Sequence, residues 1–431
     1  MSLPHPWLLT LCVAALLLLL GATSGLVNSR LSVSEPLVCA AAGVLLGPYV
    51  LHLVVLDPAH DAAGRAFLRE AARVTLAIAV LAAAIRLPQG WLRRHWSGLA
   101  VALIPGTFLM FAAGTLVSAA TLRLHLLTCV LVGAIVAPTD PVLSAPVVSG
   151  ALAERAVPGD LRHAINAESG ANDGLAQPFV LLPIALMAAR PGEAGAGLAA
   201  WAWHALAWEV GSAVVVGAAA GWLACKCMRW AARQTDADRA SLLSIALALA
   251  LVTLAALQAI GSDGVLGCFV AGATLNEAYD EDYVQHQEHF NEAISRFFDL
   301  PIMFLLGAAA PWQAWIGMGW HAAAFVAGIL LLRRIPAWLL LGRLMPWTRR
   351  PSLALFAGWF GPIGAAAMFY ACQAQDMTGD ANLWPVVSLA AAASVVAHGV
   401  TGTHLSLRLG RLRRRLEASA ADRPAPDAQA P

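Results

Sequence analysis

The chain has 431 residues, of which 59% are hydrophobic and only 12% charged, with a formal net charge of +1 at pH 7. A soluble domain carries roughly 25% charged residues, so the composition argues against one, and the near-neutral charge offers no basic surface for nucleic acid. The apolar residues come in blocks of about 18–25, the length that spans a bilayer as a helix. The short alternating segments of a membrane β-barrel are absent. The expected fold class is therefore an all-α polytopic membrane protein. Seven cysteines (Cys12, Cys39, Cys129, Cys225, Cys227, Cys268, Cys372) lie mostly inside the apolar blocks. They form no CxxC pair and no disulfide framework, and read as small packing residues.

In chain order, hydropathy predicts about 13 spans, near 7–26, 33–52, 70–87, 97–119, 124–148, 162–189, 199–224, 241–260, 263–277, 297–311, 315–342, 352–374 and 382–408. Met1–Trp7 contains no Lys or Arg, and the apolar run to Leu26 is long for a signal peptide, so 7–26 is expected to be the first span. With the C-terminus in the cytoplasm, beside Arg408, Arg411, Arg413, Arg414 and Arg415, alternate loops carry most of the Arg and Lys. The opposite loops keep Arg65, Arg69, Arg123 and Arg190. That asymmetry is what the positive-inside rule expects, and it puts the N-terminus outside. The acidic stretch Asn276–Arg296 is expected to be an amphipathic interfacial helix or a solvated loop. The tail, residues 412–431 and above all the Ala-, Pro- and Asp-rich Ala418–Pro431, is expected to be disordered.

The centre of the chain is Gly133–Pro183. It reads GAIVAPTDPVLSAPVVSG, a short polar turn, then INAESGANDGLAQPFVLLP. One span carries Thr139 and Asp140 between Pro138 and Pro141; the next carries Glu168, Ser169, Asn172 and Asp173. Ionisable residues at membrane depth are costly and mark functional sites. A second interrupted span, LALFAGWFGPIGAAAMFY, holds Gly361 and Pro362 near its middle and runs in the opposite direction. Paired broken helices of opposite orientation are the mark of inverted-repeat transporters, with the binding site where they cross.

Residues four apart share a helix face, so Glu168 lies with Asn172, and Ser169 with Asp173. A hard cation prefers oxygen ligands. Asp173, Ser169, Thr139, Asp140 and carbonyls freed by the prolines could supply them. A carboxylate partly removed from water holds a proton more readily; it can then carry a proton or a metal ion but hardly both, which is the chemistry of cation/proton exchange. Glu168 needs a partner, and Arg333 or Arg334 is the candidate, the other snorkelling to the interface. Arg73, Arg86 and Glu35 are expected near the interfaces, and His398 to be a packed core histidine.

APTDPVLSAPVV, AESGANDGLAQPF, FFDLPIMFLLGAAAPW, LLLRRIPAWLL and GWFGPIGAAAMFY together resemble the monovalent cation:proton antiporters. The branch is the electroneutral one of the NhaP proteins and sodium/hydrogen exchangers, with fungal-type sodium/proton antiporters the most similar. The likeness covers about residues 30–405. It implies a NhaA/NhaP-like fold. Six core helices (about 97–189 and 315–408) would move against dimerisation helices (about 7–87 and 199–311) in a homodimer, in a bacterial inner membrane. It implies that Asp173 carries ion and proton, that Glu168 pairs with an arginine matching Arg334 best, that Asn172 precedes the carrier, and that Ser169, Thr139 and Asp140 complete the ion site. The partners would be Na⁺, or Li⁺ or K⁺, and H⁺, with membrane lipid around them and no cofactor. One departure is Arg86, where fungal-type relatives often have an acidic residue, and no role is carried onto it. A K⁺/H⁺ antiporter of the same fold is the alternative. An intramembrane aspartyl protease using Asp140 and Asp173 is a remote one, since Gly170–Asp173 reads GAND rather than GxGD. Exchange of buried protons suits coupled transport better than a channel.

Overall fold

Backbone polar groups cannot stay unpaired in hydrocarbon, and a helix satisfies them within its own segment. The computed structural model describes residues 6–26, 33–190, 192–234, 242–278 and 295–421, and among these the regular structure is helical. Helices follow the expected blocks in order: α1 (Pro6–Leu26), α2 (Glu35–Leu46), α3 (Ala62–Ile85), α4 (Trp91–Thr121), α5 (Leu126–Val136) and α6 (Pro141–Val148). Then come α7 (Gly159–Ala188), α8 (Gly195–Ala231), α9 (Leu242–Ala259), α10 (Val265–Ala278) and α11 (Leu300–Ala308). The last are α12 (Trp320–Leu332), α13 (Ile335–Leu341), α14 (Pro351–Trp359), α15 (Ala365–Thr378) and α16 (Leu383–Ala421). Among the described residues, α4, α7, α8, the run Trp320–Leu341 and α16 are each long and apolar enough to cross a membrane.

Three breaks position the site. Pro138 and Pro141 each lack an N–H and cannot bond back to a preceding turn; the chain leaves α5 at Val136 and re-enters helix at Pro141. Pro362 with its flanking glycines parts α14 from α15 in the same way, over residues 360–364. Gly364 must be glycine here: a Cβ would run into the Asp140 carboxylate. A third break was not expected. The span predicted as 315–342 parts at Arg333–Arg334, because Pro336 cannot bond back to the preceding turn.

The short α10, expected at 263–277, is packed between α3, α8 and α9 and buries Leu266, Cys268, Ala271 and Leu275. On the other flank α2 packs along α11. The cysteines are unpaired as expected, with Cys39, Cys129, Cys225, Cys268 and Cys372 buried. The tail differs from expectation. Helix α16 runs on to Ala421, so residues 412–421 are helical rather than disordered; Leu412–Ala421 contains Arg, Leu, Glu and Ala, all strong helix formers. Residues 422–431 lie outside the described residues, as do 279–294, where most of the expected interfacial helix or solvated loop falls.

Candidate functional site: a crossing of broken helices around a buried carboxylate

The two breaks meet. The Asp140 N–H donates to the Pro362 carbonyl at 2.8 Å, tying one non-helical segment to the other. At such a crossing two helix N-termini and two helix C-termini face each other, and each end carries a partial charge and orphan backbone groups. One carboxylate answers the N-termini. Asp140 Oδ1 accepts from the amides of Val142 (2.7 Å) and Leu143 (3.1 Å) at the start of α6, and Oδ2 from Ala365 (2.5 Å) at the start of α15. One guanidinium answers the C-termini. Arg333 Nη1 donates to the carbonyls of Val136 (2.6 Å), Ala137 (3.0 Å) and Pro138 (3.1 Å), and Nη2 to that of Gly361. Arg333 is 3% exposed. The expectation that the arginine not paired with Glu168 snorkels to the interface is therefore corrected: four carbonyls hold it inside the crossing.

Arg334 is the partner of Glu168. Its Nη1 lies 2.6 Å from Oε1 and its Nη2 2.9 Å from Oε2, the two-pronged geometry that suits a planar guanidinium. Arg334 Nε donates to the Ala357 carbonyl at 3.1 Å, and the guanidinium sits 4.3 Å from the Trp338 ring centre. A Cβ on Gly361 would strike the Arg334 side chain, which is a second reason for glycine in that break.

From Glu168 the network continues to Asn172 and Thr139. Asn172 Nδ2 donates to Glu168 Oε1 and to Thr139 Oγ1, both at 3.0 Å, and its Oδ1 accepts from the Thr139 amide at 3.1 Å. Thr139 Oγ1 lies 3.0 Å from Ser169 Oγ and 3.3 Å from Glu168 Oε2. Asn172 thus fastens the broken helix to α7.

Asp173 stands apart. It is fully buried, yet neither of its carboxylate oxygens has a hydrogen-bond partner among the described residues. Its backbone carbonyl accepts from the Tyr370 hydroxyl at 2.5 Å. Asp140 and Glu168 are near enough to act on it electrostatically. A buried carboxylate without a partner is costly, and relieves that cost by taking a proton or a cation.

The structure thus brings together Thr139, Asp140, Glu168, Ser169, Asn172, Asp173, Arg333, Arg334, Gly361 and Pro362. Two supports had no role in the sequence reading. Tyr370 closes on Asp173 from α15. Ser394 Oγ accepts from the Ile363 amide at 2.7 Å and lies 3.1 Å from His398 Nδ1, while His398 Nε2 is 2.8 Å from the Trp359 carbonyl. His398 is packed, as expected, and it braces the second break. Its apolar, Gly-flanked setting in VVAHGV gave no sign of that contact.

A helical fold with two crossed broken helices and a lone buried carboxylate beside the crossing defines a transporter architecture. The chain belongs to the sodium/hydrogen exchanger family, whose transmembrane region matches residues 14–408, and it is a multi-pass integral membrane protein. It is 29% identical over 423 residues to the Na⁺/H⁺ antiporter 2 of Zygosaccharomyces rouxii, covering 90% of this chain and 51% of that protein. It is 30% identical over 378 residues to the Na⁺/H⁺ antiporter of Saccharomyces cerevisiae, covering 84% of this chain and 37% of that one. The chain thus spans about half the length, or less, of these curated relatives. Its fold matches that of the sodium proton antiporter MjNhaP1 from Methanocaldococcus jannaschii with a TM-score of 0.71, at 16% identity, covering 94% of this chain and 99% of that one.

Proposed function

We propose that this chain exchanges Na⁺, and alkali cations of similar hardness, for H⁺ across the membrane, with Asp173 as the single carboxylate shared by ion and proton. The observation that carries this reading is the isolation of Asp173: every other carboxylate at the crossing is committed. Glu168 is held by Arg334, and Asp140 by three backbone amides. The cation is the cargo. Asp173, with the Ser169 and Thr139 hydroxyls, supplies oxygen ligands of the kind a hard cation takes, and the fixed negative charge of Asp140 adds attraction. When the proton leaves Asp173 the cation can bind, and when the cation leaves the proton returns.

Because one carboxylate carries either cargo, each cycle moves one proton against one monovalent cation, and the exchange is electroneutral. Glu168 and Asp140, each committed to its own donors, are not counted as carriers. The carrier helices α4–α7 and α12–α16 rock against the remaining helices in a homodimer, with the C-terminus in the cytoplasm. The names of the relatives favour Na⁺ over K⁺ as the main cargo.

The test is ΔpH dequenching in everted vesicles holding the full chain, with Na⁺, Li⁺ and K⁺ added in turn. Cation-dependent collapse of a preset ΔpH that vanishes in Asp173→Asn, with the variant still folded and inserted, is the expected result. Undiminished Na⁺-dependent collapse in Asp173→Asn would place the carrier elsewhere, and collapse driven by voltage without added cation would indicate a channel.

A further inference from the structure

Beside Gln177, one turn beyond Asp173 on α7, a second group of acids is buried, with several oxygens that have no hydrogen-bond partner among the described residues. Glu209 lies on the π-helical stretch Ala202–Val210 inside α8, and Asp263 in the turn between α9 and α10. Both are at least nine-tenths buried, at 7% and 9% exposed. Gln177, from α7 and 4% exposed, lies beside the Glu209 carboxyl. Asp263 Oδ1 and Oδ2, Glu209 Oε2 and Gln177 Oε1 have no hydrogen-bond partner among the described residues. Four oxygens are thus gathered in a buried place with no donor to satisfy them. Long π-helices are rare and concentrate at functional sites; here one turns Glu209 inward.

The acids are held together by backbone contacts. Ser212 Oγ donates to the Glu209 carbonyl at 3.2 Å and to Ser262 Oγ at 3.0 Å, and Ser262 Oγ reaches the same carbonyl at 3.5 Å. Charged groups also stand around them. Arg73 faces Asp263, but its Nη1 also serves Glu70 and Gln258, each at 3.1 Å. His204 Nδ1 lies 3.4 Å from Glu209 Oε1 on the more open side. Glu70 is bonded by Arg69 at 3.0 Å as well as by Arg73, so Glu70, Glu209 and Asp263 stand beside two guanidiniums and one histidine. Buried carboxyl and amide oxygens without hydrogen-bond partners fit a hard cation better than a soft one. The group lies near the carrier: Gln177 is one turn beyond Asp173 on α7, and the Tyr370 hydroxyl, which donates to the Asp173 carbonyl, is within electrostatic reach of Glu209 and Asp263.

We propose that Glu209, Asp263 and Gln177 form a second station for a monovalent alkali cation, separated from Asp173 by Tyr370, where the cation displaces a proton before passing to the carrier. The balance is simple: the acid pair gives up one proton as one cation binds, and recovers it when the cation moves on. This rests on Asp173 being the carrier, but binding can be read without transport.

The experiment measures the melting temperature of the purified full chain as NaCl replaces choline chloride at constant ionic strength, since a ligand of the folded state raises Tm with concentration. In Asp173→Asn, which lacks the carrier carboxylate, a saturable Na⁺-dependent rise is expected to persist. Adding Asp263→Asn or Glu209→Gln should raise the half-saturating Na⁺ by about tenfold or more, equivalent to about 1.4 kcal/mol, and Glu209→Asp should restore part of it. If the acid variants do not fold, Gln177→Leu, which removes a neutral ligand, should weaken the response in the same direction. A folded Asp173→Asn with no Na⁺ response, or one that the added substitutions leave unchanged, would overturn the station. Continued exchange by Asp173→Asn would instead overturn the carrier assignment, so the two failures are distinct.

Discussion

Asp140 and Arg333 complement each other across the crossing: the carboxylate closes the N-terminal ends of α6 and α15, and the guanidinium closes the C-terminal ends of α5 and α14. Each neutralises the partial charge that helix ends carry. Neither group makes a side-chain pair with the other; they act on opposite poles of the same four half-helices. The two residues therefore respond differently to substitution. Asn caps helix N-termini about as well as Asp, so Asp140→Asn should stay folded and keep part of its exchange activity. Arg333→Met leaves four buried carbonyls without donors, each worth roughly 1–3 kcal/mol when unsatisfied. Its melting temperature should fall much further than that of Asp140→Asn. Equal losses from the two would argue against this division of roles.

The Glu168–Arg334 pair makes a second prediction. Removing one partner of a buried pair costs about 3–5 kcal/mol in soluble proteins, so Glu168→Gln and Arg334→Ala should each destabilise more than Asp173→Asn. The double variant should recover part of the loss, since no lone charge remains. A thermal-shift cycle reads the coupling, and purely additive losses would contradict the pair. The same cycle run with Arg333 should show little coupling to Glu168.

Ser169 and Thr139 touch each other beside the carrier. Ser169→Ala removes one oxygen and leaves the Glu168–Asn172–Arg334 network in place. The expected result is a higher KM for Na⁺ with a near-normal maximal rate in proteoliposomes. A lowered rate at unchanged KM would mean that the hydroxyl serves motion rather than ion binding.

At one end of α3, Arg65 Nε lies 2.5 Å from Asp376 Oδ1 and Arg69 bonds Oδ2, so that two arginines of α3 latch α15. Gln375 adds a bond to the Ala59 carbonyl at 2.7 Å. If α15 moves against α3 during transport, this latch opens in every cycle. Asp376→Asn should then speed amide hydrogen exchange at the adjoining ends of α3 and α15. Such partly exposed pairs are worth about 0.2–1 kcal/mol each, so losing two should give a gain of at most about thirtyfold. Unchanged protection would show that the contact carries no closing force.

Much of this was legible in the sequence because its signals are local. Pro138, Pro141 and the Gly361-Pro362 pair announce breaks by removing donors and helical geometry, and charged residues inside apolar blocks announce a site. Spacing along α7 put Glu168 and Asn172 on one face, where they bond. The choice between Arg333 and Arg334 was not legible from the residues. Adjacent side chains point about 100° apart on a helix, and which of them meets α7 depends on how α12 ends. Pro336 held that information, since it stops the helix at the arginines. Three of Arg333's four carbonyl partners lie 195–197 residues away along the chain, and no local pattern encodes such a meeting. Glu209 and Asp263 are brought together only by the fold: Glu209 lies inside the predicted span 199–224 and Asp263 at the start of 263–277, and they come near each other when α8 packs against α10.

One measurement bears most directly on the claim that a single carboxylate exchanges its cargo. The rate of Na⁺-driven ΔpH change is recorded in proteoliposomes whose membrane potential is clamped by valinomycin at several K⁺ gradients. Moving one net charge would couple each cycle to about 2.3 kcal/mol per 100 mV, an effect too large to miss. The expected result is a rate independent of potential, with no steady current, because Asp173 alone alternates between proton and cation. A clear dependence of the rate on potential would contradict this and would mean that a second group carries a proton through the cycle, with Asp140 the first to test.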